Sequence, residues 1–80
     1  MTESEYVAHL IRGMYAQVEV IDRPKEVTTM TVHMMDKACQ HLENYLDDDT
    51  LISYTTGAEH GEWRDALARG RAWLEENDAR

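Results

Sequence analysis

Sixteen of the 80 residues are aspartate or glutamate, and their spacing is where chemistry would first be sought. The stretch EHGE sets Glu59 and Glu62 three residues apart, and EEND does the same for Glu75 and Asp78. Carboxylates three apart on a helix point the same way. Their hard oxygen ligands suit Mg²⁺, which can neutralise the charge of a phosphate substrate.

An ExxE pair followed by an ExxD pair resembles the magnesium-binding motifs of the all-α nucleoside triphosphate pyrophosphatases of the MazG type, which carry such pairs on facing helices. The resemblance rests on four acids within about twenty residues. It implies a magnesium-dependent nucleotide hydrolase with Glu59, Glu62, Glu75 and Asp78 as ligands, and it stands as an alternative reading. Apart from this resemblance, the residues assign no catalytic group, no cofactor and no metal ligand.

The second constellation is YLDDDTLISY, where Asp47, Asp48 and Asp49 interrupt two apolar stretches. The apolar periods on either side demand a break there, with Asp49 or Thr50 capping the next helical turn. Three acids at the end of a helix also oppose its dipole, which argues for a further use. The sequence therefore nominates Glu43, Asp47, Asp48, Asp49, Glu59 and Glu62 as a partner-binding set that meets a basic surface.

The remaining reactive side chains do not assemble into a site. His33 and His41 are eight apart, roughly 12 Å along a helix, so one metal cannot take both. His60 falls in a glycine-flanked turn, GAEHG. Cys39, the only cysteine, lies in an apolar stripe and reads as a small hydrophobe. No Gly-x-Ser-x-Gly motif and no glycine-rich phosphate loop is present.

The elements that would position these groups read as helices. Thr2 and Glu5 have capping-box spacing. Val7, Leu10, Ile11, Met14, Val18 and Ile21 follow helical periodicity, although the β-branched QVEVI could fray or pair as a strand. Pro24 suits the first turn of a second helix. On that helix Val27, Met30, Met34, Ala38, Leu42 and Tyr45 share a face. Val32, Met35, Cys39 and Leu46 widen the apolar arc beyond half the circumference, which predicts cover from two directions. The stretch VTTMTV has strand-like composition. One or two helical turns come after Asp49, Gly57 and Gly61 bracket a turn, and a last helix begins near Glu62. Its apolar face is Trp63, Ala66, Leu67, Gly70, Trp73 and Leu74. The expected fold is all-α: one domain over residues 1–80, a compact bundle of three long helices plus one short helix.

Composition narrows function. The net charge of −8 disfavours direct contact with nucleic acid or an anionic membrane. The three arginines of the last helix are surrounded by acids, unlike a groove-reading helix. One cysteine and an N-terminus without a basic, then apolar, leader fit a reducing cytoplasm. The reading is a small non-catalytic protein that binds and modulates another protein through that protein's basic surface. In size and charge it is similar in type to phage and mobile-element regulators such as anti-CRISPR and anti-restriction proteins. The wide apolar arc of the second helix, with Met30, Met34 and Met35, supports a structural alternative: a homodimer through the helix around Val27–Leu46.

Overall fold

A computed structural model describes residues 2–77. The chain is all-helical there, with no strand among the described residues: α1 spans Glu3–Asp22, α2 Thr29–Leu46, α3 Asp49–Ile52 and α4 Gly57–Asn77. The β-branched stretches QVEVI and VTTMTV are thus not strands. Three helices of 18 to 21 residues make the bundle, and the expected short helix, α3, is a single turn within the connection.

Capping explains the boundaries. The Glu5 N–H donates to Thr2 Oγ1 at 3.2 Å, as the spacing predicts. The second helix starts five residues after Pro24, not at it. Thr28 is the cap: its hydroxyl accepts from the Thr31 N–H at 3.1 Å, and its own N–H donates to Thr31 Oγ1 at 2.8 Å. This reciprocal pair satisfies two orphan donors and leaves residues 24–28 as an extended lead-in.

The last helix begins at Gly57, so Gly57, Glu59, His60 and Gly61 are helical rather than a turn. Thr56 caps it. The Glu59 N–H donates to Thr56 Oγ1 at 3.2 Å, and Glu59 Oε1 accepts from the Thr56 N–H at 3.1 Å. The two glycines cost about 1 kcal/mol each in helix propensity, and this capping box offsets part of that cost.

The core is built from Val7, Ile21, Met35, Ala38, Cys39, Leu42, Tyr45, Trp63 and Ala66. Trp63 is fully buried. Its ring meets Tyr45 edge-on at 4.9 Å and Tyr15 edge-on at 5.6 Å. Gly70 lets α4 approach Cys39 and Met35 on α2 and Ile21 on α1. These contacts fix the directions. Tyr45 faces Trp63 and Cys39 faces Gly70, so α2 and α4 are antiparallel. Tyr15 binds Glu62 and Asp22 binds Arg69, so α1 and α4 run parallel.

The second helix is covered from two directions by α1 and α4. Its buried face is Met35, Ala38, Cys39, Leu42 and Tyr45. Val27, Met30 and Met34, expected on the shared face, are exposed instead, and Val27 precedes the helix. Met34 lies one residue, about 100° of rotation, from buried Met35, which turns it off the core.

Candidate functional site: an acidic pole

The up-down-up arrangement brings the start of α1, the end of α2, the α3 turn and the start of α4 to one end of the bundle. A level through Tyr15, Tyr45 and Trp63 divides the molecule there. Residues 2–15 and 45–63, on the pole side, carry seven acids and a single base, Arg12. Residues 16–44 and 64–77 carry eight acids and six bases. Six of the eight net negative charges therefore sit at one end of a body 42 Å long.

Five of the six nominated residues gather at this pole: Asp47, Asp48, Asp49, Glu59 and Glu62. Glu43 lies farther down the flank of α2, where its carboxylate pairs with Arg71 of α4. The others also have local roles. Asp47 closes α2, its N–H donating to Glu43 O at 3.0 Å. Asp48, rather than Asp49 or Thr50, caps the α3 turn, accepting from the Leu51 N–H at 3.2 Å. Asp49 stands in the first turn of α3. Glu59 closes the Thr56 capping box, and Glu62 accepts from the Tyr15 hydroxyl at 3.4 Å. Asp47, Asp48, Asp49 and Glu62 remain exposed.

Four pole residues escape a reading of local pattern. Glu3 and Glu5 belong to the first turn of α1. Tyr6 and Tyr54 are exposed large aromatics at the same end, and the Tyr54 hydroxyl binds the Glu3 carboxylate, tying the α3–α4 connection to α1. That bond holds the Tyr54 phenol above its ordinary pKa, with desolvation adding to it. Burial raises Tyr15 in the same direction, followed by the charges of Glu62 and Glu59. The pole thus combines exposed carboxylates with exposed phenol rings. Carboxylates accept bidentate hydrogen bonds from guanidinium groups, and tyrosine faces stack on the same cations.

Beneath the pole lies a polar cluster. The Thr55 hydroxyl donates to Ile52 O at 3.0 Å, and His60 Nε2 contacts both that hydroxyl and Ile52 O. Burial pushes the Tyr45 phenol up. The neighbouring Thr55 hydroxyl opposes that push, yet neither the Tyr45 hydroxyl nor Trp63 Nε1, both buried, makes a well-formed hydrogen bond.

The acid pairs that resemble the pyrophosphatase motif do not face each other. Glu59, Glu62 and Glu75 occupy one helix, and Glu59 and Glu75 are sixteen residues apart, about 24 Å along its axis. Asp78 lies outside the described residues. Among the described residues no three His, Cys, Asp or Glu side chains are placed to hold a metal ion, and no helix is long and apolar enough to cross a membrane. Comparison with known proteins finds no matching family, no matching curated protein and no matching solved structure.

Proposed function

We propose that this protein is a non-catalytic binding module whose acidic pole docks onto a basic surface of another protein. The supporting observation is the concentration of net charge at one end of the bundle, with Tyr6 and Tyr54 exposed among the acids. A surface of arginines and lysines that ordinarily holds nucleic acid has the complementary chemistry. The module would occupy it in place of phosphate and so inhibit its host, in the manner of the small regulators of phages and mobile elements. The reducing cytoplasm is the proposed setting, consistent with a buried free thiol at Cys39.

Each carboxylate at the pole contributes to long-range attraction, while tyrosine contacts give short-range fit. Capture of the tagged chain's partner at about 50 mM and about 300 mM salt tests this, because screening shortens the electrostatic reach. The expected result is one dominant partner, weakened at higher salt and weakened again by Asp47→Asn, Asp48→Asn and Asp49→Asn together. Addition of nucleic acid should release it. Affinity indifferent to both salt and the triple substitution would refute the electrostatic docking.

A further inference from the structure

The end of the bundle opposite the acidic pole exposes apolar side chains that no helix covers. Met30 is 72% exposed, Val27 53% and Met34 47%. Met30 and Met34 stand one turn apart on α2, and Met34 joins Val20, Arg23, Lys25 and Thr31 around a groove of about 150 Å³. The late start of α2 creates this surface, because the extended lead-in delivers Val27 to the outside just before the Thr28 cap.

Charge here differs from the other end. Residues 23–37 carry three bases, Arg23, Lys25 and Lys37, against two acids, Glu26 and Asp36. Two copies of a chain with net charge −8 repel strongly through their poles, whereas the half of the bundle at this end, residues 16–44 and 64–77, carries only two net negative charges, so like-charge repulsion is far weaker here. We propose that the Val27, Met30 and Met34 surface is the contact between two copies of this chain, joined tail to tail with both acidic poles outward.

A two-fold contact is self-complementary, so Lys37, which shares the face of Met30 and Met34, can meet Glu26 of the other copy beside a methionine centre. Methionine repacks readily, which suits two identical surfaces meeting face to face. A stable dimer needs about 800 Å² from each partner, roughly one-seventh of the 5483 Å² surface of this chain. The body is 42 Å long, so the poles end up separated by far more than the Debye length of about 8 Å, and their repulsion is screened. A head-to-tail contact would instead place one copy's acidic pole against the other's Arg23 and Lys25, and it would propagate into an open chain. The tail-to-tail pairing stands whether or not the acidic pole docks as proposed above.

Sedimentation equilibrium of the full chain, from about 1 to about 300 µM, tests the pairing. The expected mass rises from 9.3 kDa toward twice that value. Met30→Gln with Met34→Gln should weaken dimerisation at least about tenfold, as loss of central contacts does, while helicity stays unchanged because both side chains are exposed. Asp47→Asn, Asp48→Asn and Asp49→Asn together should leave the dimer constant within about twofold, since those acids lie beyond the screening distance. A monomer at every concentration overturns the proposal, as does a dimer indifferent to the methionine substitutions. A dimer that dissociates when the aspartates are neutralised would indicate head-to-tail contact and overturn it as well.

Discussion

A Cβ placed on Gly70 would stand 2.6 Å from the Sγ of Cys39, closer than packed atoms tolerate. It would also meet Met35 Sδ at 3.3 Å and Ile21 Cδ1 at 3.4 Å. One missing side chain on α4 thus lets all three long helices meet. Gly13 on α1 has nothing within 4 Å of the same position.

The two glycines should therefore respond oppositely to alanine. Gly13→Ala gains helix propensity without a clash and should stabilise by about 0.5–1 kcal/mol. Gly70→Ala gains the same propensity but overpacks the core, and a net loss of about 1–2 kcal/mol is expected. Adding Cys39→Ala to Gly70→Ala should recover part of the loss by removing the sulfur. Thermal melts of the three variants check this, and a rise in Tm for Gly70→Ala would contradict the close approach.

The Tyr45 hydroxyl is buried and makes no well-formed hydrogen bond, although the Thr55 hydroxyl lies beside it. Such a group loses water on folding and regains only the poorly aligned Thr55 contact, a loss worth up to about 1–3 kcal/mol. Tyr45→Phe keeps the ring against Trp63 and removes the oxygen. It should raise Tm by about 4–8 °C for each kcal/mol gained in a domain of this size. A fall in Tm would mean that the hydroxyl is satisfied in solution.

Alkaline pH should weaken the fold. Burial raises the folded pKa of Tyr45 above its ordinary value of 10.0, so the protein holds this proton more tightly than the unfolded chain does. The contribution is complete below pH about 10 and is lost as pH climbs through the raised value. Tm between pH 8 and 11 should decline, and the decline should flatten in Tyr45→Phe. Cys39 is also raised by burial, against the opposing charge of Arg71. Its reaction with a thiol reagent at pH 8 should be slow in the folded protein and fast in denaturant.

The aspartate run should divide into opposite effects on stability. Asp47 closes α2, where the helix dipole disfavours an anion, so Asp47→Asn should stabilise by about 0.3–1 kcal/mol at low salt. Asp48 caps the next turn, and Asp48→Ala should cost about 0.5–2 kcal/mol. Urea titrations at low and high salt separate the two, because the first effect is screened and the second persists. Equal responses at both positions would count against these assignments.

Helical periodicity makes much of the fold legible. The face of α4 from Trp63 to Leu74 and the buried Ala38, Leu42 and Tyr45 are direct consequences of spacing. The start of α2 is obscured because Pro24 is a strong local signal, whereas Thr28 and Thr31 outcompete it through hydrogen bonds. The start of α4 is obscured because two glycines resemble a turn, although Thr56 and Glu59 have capping-box spacing. The aspartates are visible as a run. Their company is not: Glu3 and Tyr6 lie more than forty residues away in sequence, and only the antiparallel return of α2 brings them to the same end. Tertiary packing decides such neighbours, and a local pattern carries no record of it.

The uneven distribution of charge makes the molecule an electric dipole along its 42 Å axis. In the field of a strongly basic target, such a body experiences a torque as well as a pull. It turns its acidic end forward before any side chains touch. If the pole docks as proposed, diffusional encounters that begin in the wrong orientation would thereby be converted into productive ones. The Tyr54–Glu3 bond and the Thr56 cap already hold that acidic end in shape, so the proposed docking would leave little ordering for the moment of contact.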